Sequence, residues 1–208
     1  MKKHFALALL LAAAPFAATA GELSYTFVEG GYARTDIDDL GDGDGFAVNG
    51  SLALNDMFHV FGGYAMQQQE ESGVEVDLDQ FRLGLGYRYP TSDRTDIVVR
   101  AAYERAEFGA SLDDVSADAS AGGYSLEIGG RSMITENFEI SVMGGYADAG
   151  DAEVEGFSVD LDEGEGEDEE FYGRVGAQLK FNPTWGLVGE GRFSENAQQL
   201  FVGVRASF

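Results

Sequence analysis

Residues 79–89 read DQFRLGLGYRY, and this stretch decides the fold. On an extended chain Phe81, Leu83, Leu85, Tyr87 and Tyr89 share one face. Gln80, Arg82, Gly84, Gly86 and Arg88 share the other. A strict period of two is the signature of a strand. The polar face carries full charges and glycine. Two architectures accommodate such a strand. In a sandwich the apolar face is the core and the charged face meets water. In a membrane barrel the apolar face meets lipid and the charged face lines the lumen.

The same alternation recurs along the chain. In AGGYSLEIGGRSMI (121–134), Tyr124, Leu126, Ile128 and Ile134 oppose Ser125, Glu127 and Arg131. In FEISVMGGYA (138–147), Phe138, Ile140, Val142 and Tyr146 oppose Glu139, Ser141 and Met143. In EFYGRVGAQLKF (170–181), Phe171, Val175, Ala177, Leu179 and Phe181 oppose Tyr172, Arg174, Gln178 and Lys180. The alternation predicts ten strands, at about 23–34, 45–55, 57–67, 75–89, 95–107, 122–134, 138–147, 170–182, 184–194 and 198–208. Eight strands is the alternative, obtained by demoting two segments at the first or second strand.

Composition agrees with an all-β domain. The chain has 208 residues, 29 glycines, 12% aromatics, three prolines and no cysteine. Without cysteine there is no disulfide framework and no thiolate zinc site. A formal charge of −24 argues against a nucleic-acid partner, since phosphate binding needs a basic footprint. Lys2 and Lys3 precede an apolar run, broken at Pro15, that ends in Ala18-Thr19-Ala20. This pattern predicts a secretory signal peptide over 1–20, cleaved before Gly21, and a single barrel domain over 21–208.

Four features separate the barrel from the sandwich. The connections after even strands are short: Asn55-Asp56, Pro90–Arg94, Thr135–Asn137 and the neighbourhood of Pro183. Most of those after odd strands are longer and acidic, near 35–45, 68–75, 111–120 and 148–169; the one near 195–197 is brief. Short turns on one rim and long loops on the other are the habit of outer-membrane barrels.

Aromatics cluster at strand ends. Phe58, Tyr87, Tyr89, Phe138, Phe181, Trp185 and Phe208 lie beside the short turns. Tyr32, Tyr64, Tyr103, Tyr146 and Phe193 lie beside the long-loop rim. These sets predict an inner and an outer interfacial girdle. The tetrapeptide GGYA, at 30–33, 62–65 and 144–147, falls at the outer girdle each time. There the glycine before the tyrosine faces the lumen, with the expected role of easing a bend and leaving space beside the ring.

Charge is partitioned. Arg82, Arg88, Arg100, Arg131, Arg174, Lys180, Arg192 and Arg205 fall on polar strand faces. Glu29, Glu104, Glu127, Glu139 and Glu190 fall there too, which predicts a lumen crossed by ion pairs. Finally, LFVGVRASF (200–208) places Leu200, Val202, Val204, Ala206 and the terminal Phe208 on one face.

These segments carry a family resemblance. LSYTFVEGGYARTD, NDMFHVFGGYA, DQFRLGLGYRY, EFYGRVGAQLKFNPTWG and LFVGVRASF resemble the small outer-membrane β-barrels of the OmpA/OmpX-like group. Within that group they look like the small outer-membrane proteins regulated by diffusible signal factor. The resemblance implies an outer-membrane location and no agreed enzymatic activity. It also implies that Leu200, Val202, Val204 and Phe208 form a signal read by the barrel-assembly machinery. Outer-membrane lipid and lipopolysaccharide are the other implied partners; an extracellular partner is unspecified.

Little in the chain points to catalysis. His59 is the one histidine left after signal cleavage, and it sits at the short-turn end of its strand. An enzyme is therefore not expected. DIDDLGDGDGF (36–46) fails as an EF-hand loop, because aligning Asp42, Asp44 and Gly45 puts Leu40 at the first ligand position and Ser51 at the twelfth. The acid-rich segment 150–170 is either a solvated loop or a weak divalent-cation site bridging to lipopolysaccharide phosphates. No cofactor is expected. Two roles stay open: a plugged barrel that stabilises the membrane and presents acidic loops, or a narrow porin for small solutes.

Overall fold

Every strand that the alternation marks pairs antiparallel with its sequence neighbours, and the first pairs with the last. The structure, a computed structural model, describes residues 22–37, 41–71, 74–112, 115–154, 157–159 and 169–208. The predicted signal peptide and parts of the acidic connections lie outside the described residues.

Eleven strands are formed: β1 (Phe27–Ile37), β2 (Gly41–Ala53), β3 (Phe58–Glu71), β4 (Val74–Ser92), β5 (Thr95–Leu112), β6 (Val115–Met133), β7 (Phe138–Val154), β8 (Phe157–Val159), β9 (Glu169–Lys180), β10 (Trp185–Phe193) and β11 (Ala197–Ser207). Ten of them close a ring, because β1 pairs with both β2 and β11 while β6 pairs with β7. The short β8 pairs with the far end of β7, outside the ring. The fold is thus a closed ten-stranded antiparallel barrel, and its closure leaves no strand edge open to lipid.

The outward face is one that water does not tolerate. Leu83, Ile128, Val142 and Val202 are 56%, 62%, 57% and 60% exposed, and they belong to a belt of exposed aliphatics around the wall. A continuous apolar surface of this extent marks a lipid contact. The inward face holds the charges.

Three short turns repeat one device. Asn55, Thr135 and Asn182 each use a side-chain oxygen to accept the backbone N–H groups two and three residues on. The third residue on is aromatic each time: Phe58, Phe138 and Trp185. Local side-chain bonds of this kind set tight turns. Here they also place an aromatic at the first position of the next strand.

The strands depart from the sequence expectation at both ends. At the long-loop rim they run further, since acidic segments read as loops continue as hairpin arms. β1 and β2 stay paired out to Ile37↔Gly41, and β5 and β6 out to Leu112↔Val115. The β1–β2 arm resumes at Gly41 with a φ of 88°, a left-handed conformation that glycine adopts without strain. At the other rim, β4 continues through Pro90 to Ser92. The first strand, expected from residue 23, starts at Phe27. Residues 22–26 instead turn into the barrel base, held by the Ser24 hydroxyl, which donates to the carbonyls of Thr26 and Phe208.

Candidate functional site: a charged lumen

All thirteen charged side chains that the alternation assigns inward lie on the lumen side, and most are paired. Glu127 is fully buried and receives three guanidinium groups: Arg174 at 2.8 Å, Arg82 at 3.1 Å and Arg100 at 3.9 Å. Glu104 receives Arg192 at 2.9 Å, Arg82 at 3.0 Å and the Ser125 hydroxyl at 2.6 Å. Arg174 reaches on to Glu190 at 2.5 Å, and Arg192 to Glu170 at 3.8 Å. This belt joins β4, β5, β6, β9 and β10, strands on opposite sides of the barrel, so it crosses the lumen rather than lining one wall.

A second tier sits nearer the short-turn rim. Arg131 pairs with Glu139 at 2.6 Å, both buried. Arg205 pairs with Glu29 at 2.5 Å across the closing seam. Arg88 pairs at 3.3 Å with Asp96, a buried acid that the sequence reading omits although it shares the parity of Arg100. Lys180 donates through Nζ to the Glu22 carbonyl at 2.8 Å.

The N-terminal segment packs into the base. The Tyr25 hydroxyl donates to Asp96 at 2.9 Å, and its ring lies under the guanidinium groups of Arg131 and Arg88, at 4.4 and 5.0 Å. Burial pushes the Tyr25 phenol up from its ordinary pKa, so it remains a donor. Tyr25, Val98 and Met143, with Leu23 against them, form a buried apolar layer at the base. His59 packs beside it, 1% exposed, with its ring 4.8 Å from that of Tyr25. Above this layer the lumen opens into a cavity of about 660 Å³ that reaches the outer rim at Ser194–Ala197.

The aromatic sets face outward. At the short-turn rim Phe58 and Tyr87 are cross-strand partners with rings 5.2 Å apart. Tyr89, Phe181 and Trp185 are exposed, and Phe138 and Phe208 half-exposed. At the other rim Tyr32, Tyr64 and Phe193 are exposed and Tyr103 and Tyr146 half-exposed. This outer set lies on alternate strands, and four of its members have aromatic partners on the neighbouring strands that alternation alone does not reveal. Tyr124 pairs with Tyr103 at 5.6 Å, Phe171 with Tyr146 at 5.3 Å, and Phe46 and Phe81 are the register partners of Tyr32 and Tyr64. On β11, Leu200, Val202 and Val204 face outward. Ala206, read as exposed with them, is buried opposite Trp185.

The lumen glycines of GGYA serve a different end from the one expected. A Cβ on Gly145 would strike the Tyr172 ring, and one on Gly63 the Asn49 amide. The space these two leave belongs to a neighbouring strand's lumen side chain, not to the following tyrosine, whereas a Cβ on Gly31 would strike the β11 backbone at Val202 and Gly203. Among the described residues no His, Asp and Glu group is placed to hold a metal ion. The acidic segment considered for divalent cations falls largely outside the described residues.

A closed barrel with a lipid-facing belt and a charged lumen defines an outer-membrane β-barrel protein. The chain belongs to the outer membrane protein beta-barrel domain family, whose model matches residues 5–162. No curated protein sequence matches it. Among solved structures it is similar to the outer membrane protease OmpT of Escherichia coli, at 10% identity over 89% of this chain and 95% of that one, with a TM-score of 0.51. It is also similar to OprG of Pseudomonas aeruginosa (11%; 91% and 98%; TM-score 0.48) and to the attachment invasion locus protein Ail of Yersinia pestis (12%; 89% and 99%; TM-score 0.44). At such identities the likeness concerns the fold alone. The protein resides in the bacterial outer membrane.

Proposed function

We propose that this barrel serves a structural and surface-interaction role, holding a non-conducting lumen in the membrane while its acidic hairpin arms face the exterior. The observation that carries the reading is the belt on Glu127 and Glu104, in which four arginines from β4, β5, β9 and β10 converge on two acids of β5 and β6. Ion pairs spanning a lumen narrow it with fixed side chains. Ten strands lie near the width that side chains can fill. The base layer of Tyr25, Val98 and Met143 supports the same reading.

On this reading the chain is not an enzyme. His59 lies at the base, buried among Tyr25, Phe61 and Gly86, far from the outer rim. The outer aromatics anchor the barrel in lipid and lipopolysaccharide, and Leu200, Val202, Val204 and Phe208 are offered to the assembly machinery.

The cavity that runs past the belt, from Glu29, Arg131 and Arg205 to the outer rim, favours one competing reading, a narrow porin for small solutes. Osmotic swelling of proteoliposomes separates the two. The structural reading expects no uptake of arabinose above protein-free liposomes; swelling at a rate that scales with protein content assigns the porin.

A further inference from the structure

The lumen is more positive than the protein that surrounds it. The chain carries −24 overall. Among the described residues below the outer rim, eight lumen-facing cations meet six carboxylates; the rim itself adds Asp148, Glu169, Glu170 and Glu195 beside Arg34 and Arg105. The excess is not spread evenly. Glu127 alone answers Arg82, Arg100 and Arg174, and Arg100 has no nearer acid than that shared carboxylate at 3.9 Å.

Arg82 Nε, Arg100 Nε and Arg131 Nη1 are buried without a hydrogen-bond partner, as are the carboxylate oxygens Glu127 Oε2 and Glu139 Oε2. Arg82 Nε still lies 3.0 Å from Glu104, which leaves Arg100 and Arg131 as the two guanidinium groups with an unanswered N–H. Arg131 is 3% exposed, with its other nitrogens on Glu139 and the Ser24 carbonyl. Both side chains line the 660 Å³ cavity. Arg82 and Arg100 share the Phe61 ring, at 5.1 and 5.2 Å. A ring face offsets part of a cation's desolvation, but it offers no acceptor to an N–H group. A buried cation without its full complement of acceptors and counter-charge is costly.

We propose that the lumen cavity is a binding site for a small oxyanion, held by Arg100, Arg131 and Arg82 above the apolar base. The planar N–H forks of guanidinium groups match the oxygen spacing of phosphate and carboxylate, which fixes the ligand class. Tyr25 and its layer lie below the chamber, whose lining reaches the outer rim at Ser194–Ala197, so the ligand enters from outside the cell. Its acidic rim, with Glu169, Glu170 and Glu195 on the lining, sets an electrostatic threshold that slows entry without removing the site. The site does not depend on whether the lumen conducts, since a blind chamber and a pore can both hold an anion.

The test is calorimetric titration of inorganic phosphate into the detergent-folded protein in a low-salt buffer free of other oxyanions. The expected result is saturable binding of one phosphate per barrel. Arg100→Gln should weaken it at least tenfold, while the rim substitutions Arg34→Gln and Arg105→Gln leave it within twofold. Folding of each variant is checked by heat-dependent gel mobility. If Arg100→Gln does not fold, Glu127→Gln provides the second reading, because freeing three arginines from their shared acid should tighten phosphate severalfold. No saturable heat from the wild-type protein up to 10 mM phosphate would overturn the proposal, as would binding lost on substitution of Arg34 or Arg105 but kept in Arg100→Gln. Liposome swelling is unaffected by either result, so this site and the non-conducting role fail separately.

Discussion

Glu29 and Arg205 face each other across the seam that closes the barrel. They are register partners on β1 and β11, 176 positions apart in sequence, and their side chains meet at 2.5 Å, both buried. Arg205 also donates to Gln178 at 3.3 Å and lies 4.0 Å over the Phe27 ring. The first and last strands are thus joined by a charge pair as well as by backbone ladder bonds.

Breaking that pair from one side should be expensive. Glu29→Ala leaves the buried Arg205 guanidinium without its ion-pair partner, with only Gln178 and the Phe27 ring beside it, at a cost of about 3–5 kcal/mol. The double variant Glu29→Ala/Arg205→Met removes both charges and should recover most of the loss. Urea unfolding in detergent, followed by tryptophan emission from Trp185, gives the three midpoints. Equal losses in the single and double variants would show that the seam is held by its ladder alone.

His59 explains a glycine that the alternation leaves unexplained. It is the cross-strand partner of Gly86, and its ring occupies the volume that a Cβ there would need. Gly86→Ala should therefore destabilise the barrel by about 1–3 kcal/mol through overpacking. His59→Ala in the same chain should restore part of it. The temperature at which the folded gel band is lost reports both. Additive effects would mean that the two positions do not share space.

This contrast shows what the sequence could and could not disclose. Parity alone assigns Arg82, Glu104, Glu127 and Arg174 to the lumen, because side chains alternate strictly along a strand. Parity does not say which residue stands opposite which. That depends on register, and register decides why Gly86, Gly145 and Gly63 must be small. Asp96 was legible by parity, two positions before Val98, but its place beside a turn disguised it. The inward turn of residues 22–26 had no local signal, since Leu23 and Tyr25 alternate as a strand would. It rests on contacts with Arg131, Lys180 and Asp96, each at least 71 positions away. The arms above the membrane were hidden for another reason: acidic, glycine-rich hairpins have the composition of loops while keeping strand pairing.

The three side-chain-capped turns make a local prediction. Asn55→Ala and Asn182→Ala each remove an oxygen that accepts two backbone N–H groups, at 2.8–2.9 Å. Each should cost about 1 kcal/mol. Serine at these positions keeps an acceptor and should cost less than alanine. The same unfolding midpoints decide it, and alanine variants that match wild type would reduce these bonds to ornament.

The base layer predicts a gain of function. Tyr25→Ala removes the ring under Arg131 and Arg88 and the bond to Asp96. It should loosen the seal more than the belt, because Glu127 and Glu104 keep their partners. Glycine or alanine at Tyr25 should therefore permit brief openings that Tyr25→Phe, which keeps the ring, does not.

The most direct measurement is single-channel recording in planar bilayers of the wild-type protein beside Tyr25→Ala. The proposed non-conducting lumen, crossed by the Arg–Glu belt with Tyr25 packed into its base, predicts silence from the wild type and at most brief, small openings from the variant. Long-lived conductance steps from the wild-type barrel would contradict it.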